Sequence, residues 1–237
     1  MKQSKTLLLS DGSTLAYRIY GQGFPLILLH GNGNTGAYFE RQVPTFAKFF
    51  KVIVVDSRGH GASNNLATRI SYRLMANDVK ELLETEKLTC VHILGFSDGA
   101  NIAMAFASDH PQYVKKLILN AGNIEVNGMH LLIKWLTYLE YWVVWLLALF
   151  IPFFKAKVPI VHLMIQDTQI TKKDLHNITA KTLVIVGKKD VIKVEHSFAI
   201  ASAIPNSRFV LVPNHGHRLA RTSPALFNEE VLNFLRG

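Results

Sequence analysis

Along this chain, short runs of almost unbroken apolar residues alternate with longer stretches in which apolar positions recur every three or four residues. The runs at 25–29, 51–55, 91–94, 114–119, 182–186 and 208–212 have the length and composition of strands buried on both faces of a parallel sheet. Between the second and third of these, Leu74, Met75, Val79, Leu82 and Leu83 fall on one helical face and predict a helix over 71–86. Further helices are predicted at roughly 193–203 and from 223 to the end, the last opening with Ser223 as N-cap and Pro224 in its first turn. Ahead of all these, residues 5–20 read as two strands joined by a tight turn at Asp11-Gly12. Strands alternating with helices imply an α/β domain: a mostly parallel, doubly wound sheet whose working residues stand at the strands' C-terminal ends. No internal repeat or low-complexity tract interrupts this order.

The sharpest local pattern is Gly95-Phe96-Ser97-Asp98-Gly99-Ala100, set between the 91–94 strand and a small-residue run at 102–107 that reads as a helix. A chain turning from strand to helix in two or three residues holds its central residue in a strained conformation and pushes that side chain out at the sheet's edge. Here that residue is Ser97. Glycine at 95 and 99 removes the side chains that would collide, and Ala100 lets the helix start lie close to the sheet. The pattern is the G-x-S-x-G nucleophile elbow, in the strand–turn–helix context its mechanics require.

Other strand ends carry polar clusters too. They are His30-Gly31-Asn32-Gly33, Asp56-Ser57-Arg58-Gly59-His60-Gly61-Ala62-Ser63, Gly187-Lys188-Lys189-Asp190 and His215-Gly216-His217. Together with the elbow these five motifs, in this order, resemble the α/β-hydrolase fold family, and the resemblance covers nearly the whole chain. It implies a catalytic triad in the order Ser97, Asp190, His217. The family's alternative place for the acid, after the sixth strand, holds Asn120, which cannot carry the charge. Of His215 and His217, the second follows a glycine as the family's pattern requires. The resemblance also implies an oxyanion hole made by the backbone N–H groups of Asn32 and Asp98. Dehalogenases and epoxide hydrolases of this fold carry Asp at the elbow, so Ser97 points to the serine hydrolase and esterase branch. Among the remaining histidines, His30 and His60 match positions that shape loops.

Residues 123–180 interrupt this scheme between the sixth and seventh strands, where the family places a cap. The expected division is therefore a core over 1–122, a small helical cap insertion over 123–180 and the rest of the core over 181–237. From 135 to 154 the insertion is almost continuously apolar, with Glu140 as its only charge. The stretch is long enough to span a bilayer, but a single span would put Ser97 and His217 on opposite sides of the membrane. One reading has the cap helices bury against the core and roof an acyl pocket, with Trp142 and Trp145 as substrate contacts. The other has them meet a membrane surface or a second copy of the chain, helped by Lys134, Lys155 and Lys157. A short helix over 171–178 returns the chain to the core.

Composition narrows the picture a little further. The formal charge is +9, but the basic residues are scattered and not interleaved with aromatics, so nucleic acid is not an expected partner. Cys90 is the only cysteine, expected as a buried small hydrophobe, and it leaves no intrachain disulfide. The apolar run Leu7-Leu8-Leu9 is too short for a signal peptide, so the expected location is cytoplasmic, at most peripheral to a membrane. No spacing of histidine and acidic residues suggests a metal site, and neither metal nor organic cofactor is expected. The expected function is that of a serine hydrolase acting on carboxylic esters or related acyl compounds with an apolar portion. The same triad would also serve a lactonase or a carbon–carbon bond hydrolase, and a ligand-binding protein that kept the fold is the reading from another class. Asp98 has two readings: an acidic residue favoured by the helix dipole in the first turn, or a carboxylate that attracts a cationic substrate.

Overall fold

The apolar runs assemble edge to edge because each is buried on both sides. In the computed structural model, which describes residues 2–237, they form an eight-stranded sheet in the order β1-β2-β4-β3-β5-β6-β7-β8. The strands are β1 (Lys2–Leu8), β2 (Thr14–Tyr20), β3 (Phe24–Leu29), β4 (Phe50–Asp56), β5 (Val91–Phe96), β6 (Val114–Asn120), β7 (Lys181–Lys189) and β8 (Ser207–Gly216). The pairs β1–β2 and β2–β4 are antiparallel, and from β4 to β8 every pair is parallel. This is the expected mostly parallel sheet with a helical insertion after β6.

Side chains one residue apart point to opposite faces of a strand, so each strand feeds two cores. Ile27, Leu29, Ile53, Val55, Ile93 and Leu117 enter one cluster, whereas Leu26, Leu28, Val52, Val54, Leu94 and Ile118 enter the other. The first is covered by α2 (Tyr72–Thr85), α3 (Asp98–Asp109), α7 (Lys172–His176) and α8 (Val194–Ala203), the second by α1 (Val43–Phe46), α9 (Leu219–Thr222) and α10 (Pro224–Arg236). The sheet is therefore wound on both faces. The connection leaving β3 passes to the α1 face and the one leaving β5 passes to the α3 face. Their divergence opens a crevice at the C-terminal ends of two adjacent strands, the place where open α/β sheets hold ligands.

β1 and β2 form the expected hairpin, closed by a tight turn in which Gly12, at φ 83°, donates its N–H to the Leu9 carbonyl at 2.9 Å while Leu9 N–H donates to the Ser13 carbonyl at 2.8 Å. Two local expectations need correction. The Ser223 side chain makes no capping bond, and α10 instead starts on the Ser223 carbonyl, which accepts from Phe227 N–H at 3.1 Å. Cys90 is half-buried at the entrance to β5, not sealed in the core.

The insertion forms α4 (Leu131–Phe150), α5 (Pro152–Lys155) and α6 (Val158–His162) before α7 returns the chain to β7. Here one expectation fails outright. Only Thr137 and Ala148 of α4 are buried, so this helix does not bury its apolar surface against the core. Its inward face is narrow, and most of its leucines and all three tryptophans face outward.

Away from the crevice, His92 sits in β5 with Phe24 and Phe50 rings against it, and its Nδ1 is buried without a partner among the described residues. Burial pushes its pKa down to about 4. An imidazole held neutral in the fold but free to protonate when unfolded stabilises the fold above pH 6.5 and loses that contribution as pH falls toward 4. His92→Leu should therefore gain stability over the wild type as pH is lowered, by on the order of 2 kcal/mol at pH 5 relative to pH 7.5. Urea unfolding at the two pH values checks this; an equal difference at both would exclude the linkage.

Candidate active site

The site is built on the turn after β5. Ser97 has φ 53° and ψ −121°, in the left-handed half of backbone space that an L-residue adopts only under constraint. Two features hold it there. Ser97 N–H donates to the Asn120 carbonyl of β6 at 2.9 Å. The backbone also closes so tightly that a Cβ at Gly95 would lie 2.2 Å from the Gly99 carbonyl oxygen, and one at Gly99 would lie 2.0 Å from that of Leu29. Larger residues at either position would push α3 off the sheet. With α3 tight against β3 and β5, Ser97 faces the loop that leaves β3, and a Cβ on Gly31 would come within 2.9 Å of the Ser97 Cβ.

His217 and Asp190 reach Ser97 from the other side. Near its end β8 slips relative to β7, pairing Gly187 with Val212 but Lys189 with Gly216. The extra residues bow outward around Asn214, which has φ 60°. Gly187 makes room for this, since a Cβ there would lie 2.2 Å from the His215 carbonyl oxygen. The slip leaves His217 over the ends of β7 and β5. Its Nδ1 lies 2.8 Å from Asp190 Oδ1 and its Nε2 lies 3.1 Å from Ser97 Oγ. Asp190 is fully buried at its side chain, and Ile192 N–H also donates to Oδ1 at 3.0 Å, fixing the carboxylate's angle. The Phe96 ring, 4.9 Å from the imidazole, backs His217. His215 remains a half-buried neighbour in β8, and Asn120 uses its amide to donate to the Ile185 carbonyl at 3.0 Å.

The loop after β3 is pinned by two neutral histidines. His30 Nδ1 donates to the Gly31 carbonyl at 2.8 Å while Nε2 accepts from Ser57 N–H at 3.0 Å. His60 Nδ1 donates to the Arg58 carbonyl at 2.9 Å and Nε2 accepts from Gly33 N–H at 3.2 Å. Each ring needs one donor and one acceptor nitrogen, so each must be uncharged. Burial agrees, pushing His30 down to about 4 and His60 below its ordinary value. Among the described residues, the backbone N–H groups of Asn32 and Asp98 find no protein acceptor, whereas those of Gly33 and Ser97 do. Two donors flank the Ser97 turn unspent.

The Asp98 carboxylate is turned inward and is not presented to solvent as the reading that has it attract a cationic substrate would require. Only 8% of the residue is exposed, and its oxygens accept from Asn32 Nδ2 at 2.8 Å and Tyr72 Oη at 3.0 Å. Burial pushes its pKa up against those two bonds. Trp142 and Trp145, expected as substrate contacts, are 57% and 40% exposed and pack edge to face on the outside of α4, so they do not line an enclosed pocket. The sequence reading missed Tyr72 and the backbone of Ile160, whose carbonyl accepts the second hydrogen of Asn32 Nδ2 at 2.9 Å. Neither carries a motif. The Asn32 amide thus ties the β3 loop to both α3 and α6.

The chain matches the family model described as the alpha/beta hydrolase fold over residues 25–158. It is 35% identical over 119 residues to (E)-2-((N-methylformamido)methylene)succinate hydrolase of Acinetobacter baylyi, which is 50% of this chain and 45% of that protein. The match to the first curated relatives spans between 33% and 45% of their own length. Solved structures align along the whole chain. A hydrolase from Pseudomonas aeruginosa has TM-score 0.83 and 25% identity, covering 99% of both chains. Est816, described as an N-acyl homoserine lactone degrading enzyme, has TM-score 0.80 and 26% identity over 97% of this chain and 100% of its own.

Asp98→Ala should leave Asn32 Nδ2 and Tyr72 Oη short of an acceptor and lower the unfolding free energy by about 1–3 kcal/mol. Asp98→Asn, which keeps one acceptor oxygen, should cost less. Urea titrations of both variants test the order; equal stability of Asp98→Ala and wild type would mean that the carboxylate does not hold the loop.

Proposed function

The chain belongs to the alpha/beta hydrolase fold family, and from that premise we propose that it is a serine hydrolase cleaving carboxylic esters or related acyl compounds. The observation that carries this reading is the single imidazole bridging a buried carboxylate and the strained serine, at 2.8 Å and 3.1 Å. A serine hydroxyl is a weak nucleophile at neutral pH unless a neutral base within hydrogen-bond reach takes its proton. In the proposed reaction His217 Nε2 accepts the proton as Ser97 Oγ attacks the substrate carbonyl carbon. Asp190, accepting from Nδ1–H, keeps the lone pair on Nε2 and stabilises the imidazolium that forms.

Attack moves the carbonyl electron pair onto oxygen, and the Asn32 and Asp98 N–H groups are the donors proposed for that oxyanion. Collapse of the intermediate expels the alcohol, which leaves with the proton from His217, and an acyl ester of Ser97 remains. Water, deprotonated by the same imidazole, then attacks that ester and releases the acid. The proposed steps use side chains and backbone alone. A lactone is an ester closed on itself, so ring opening follows the same steps, and the likeness to Est816 favours including lactones in the substrate class. The family likeness supports hydrolysis in general; the choice of ester rests on the serine site.

Ser97→Ala and His217→Ala should each lower turnover of a short-chain aryl ester by roughly a million-fold, whereas Asp190→Asn should lower it by about ten-thousand-fold. A fluorophosphonate probe should label the wild type and not Ser97→Ala. Labelling that survives in Ser97→Ala, or near-normal turnover in Asp190→Asn, would exclude the assignment. Absence of labelling in the wild type would favour a ligand-binding protein with this fold.

A further inference from the structure

Helix α4 inverts the usual order of a surface helix. Its inward side, through Thr137, Tyr141, Val144 and Ala148, is narrow and partly polar, whereas its outward side is almost entirely apolar. Leu132, Trp135, Leu139, Trp142, Leu146 and Leu149 form an exposed stripe along the helix at alternating spacings of three and four. Burying such a set removes roughly 1.5–3 kcal/mol per large side chain from water, so an unpartnered face of this kind marks a surface that something covers.

The width of the face says what covers it. A second helix would cover a seam one or two residues wide, flanked by the charged residues that set register in paired helices. Here the flanking positions are Leu136, Val143, Trp145 and Phe150, all exposed and none charged. Of the exposed residues on α4, Glu140 alone is polar. A continuous apolar medium fits this breadth better than one partner helix does. The charge at its rim is complementary to an anionic surface. Across 131–162 there are Lys134, Lys155 and Lys157 against Glu140, and the chain as a whole is at +9. Lys155 and Lys157 are exposed beside Phe153, with Lys157 Nζ 4.6 Å from that ring.

Both ends of the excursion are fastened to the same edge of the sheet. At the start, His130 N–H donates to the Val191 carbonyl at 3.0 Å and Met129 bridges Ile192. Beyond the end, Ile160 is bonded to Asn32. A helix held at both sides this way lies along the surface and does not cross a bilayer.

We propose that the outward face of α4, with Phe153 and the two lysines of the following segment, docks the protein on the surface of an anionic lipid bilayer. The helix lies in the membrane plane, its leucines and tryptophans at the boundary between headgroups and acyl chains, with Lys155 and Lys157 at the phosphates. The inference does not depend on the proposed hydrolysis.

All three tryptophans of the chain are on α4, so their fluorescence reports this helix alone. The full chain should float with phosphatidylcholine vesicles containing phosphatidylglycerol, more weakly with phosphatidylcholine alone, and brominated acyl chains should quench its tryptophans. The double variant L139E/L146E changes two exposed positions and should lose at least about tenfold in binding. K155Q/K157Q should lose severalfold on anionic vesicles only. Failure to float with either vesicle, or no quenching by the brominated lipid, would overturn the proposal, and the quenching test needs no variant to fold. A dimer seen by sedimentation, lost in L139E/L146E and unaccompanied by flotation, would assign the face to a second copy and overturn it as well.

Discussion

The close approach of three backbones, β3, β5 and the first turn of α3, is the constraint on which the rest depends. It exists because the chain has no side chain at Gly95 or Gly99, where a single Cβ would strike a carbonyl at 2.2 Å or 2.0 Å. Once α3 lies that near the sheet, Ser97 has no room for an ordinary strand or helix conformation, and its hydroxyl is thrust into the crevice with φ 53°. The unfavourable backbone angle costs roughly 1–3 kcal/mol. It is offset by the packing of a helix whose residues from Asp98 to Ser108 are all buried. The backbone geometry at Ser97 is thus a consequence of core packing.

The same economy of space governs the second half of the site. Gly187 permits β8 to slide past β7, and that slide, not a separate loop, carries His217 to within hydrogen-bond distance of Ser97. The loop after β3 is secured differently, by neutral imidazoles and by the Asn32 amide, which has one hydrogen on Asp98 and the other on Ile160. A displacement of α6 therefore reaches the donors beside Ser97 through one side chain. Arg58 plays a supporting part further back, where its guanidinium spans Asp78 on α2 and Asp11 on the β1–β2 connection and locks the loop that bears His60.

Strand positions were legible because parallel strands buried on both faces must be apolar throughout, and Ser97, Asp190 and His217 were legible because their motifs fall where such strands end. What could not be read has a common cause. The sequence lists Asp98 beside Ser97, but whether its carboxylate meets solvent or Tyr72 depends on how α2 crosses α3, two elements whose contact no local pattern encodes. The outward stance of Trp142 and Trp145 is hidden in the sequence for a related reason. An apolar helix looks the same in sequence whether it turns its face toward a core or away from it, and only the position of Thr137 and Ala148 on the inner side reveals the choice made here.

Strands β6 and β7 pair directly, Lys116 opposite Lys181 and Asn120 opposite Ile185. Because that pairing is parallel, the chain leaves the sheet at the C-terminal end of β6 and re-enters it on the neighbouring strand at the opposite end, so the connection also has to cross the sheet. Because closure entropy rises only with the logarithm of loop length, the length that α4 adds to this connection costs little in forming the sheet. Ile124, Ile160, Leu163, Leu175 and Ile178 of this connection still pack into the core, but α4, with only Thr137 and Ala148 buried, is released from that task. That freedom permits an otherwise ordinary sheet to carry a helix whose composition would be a liability anywhere else in the chain.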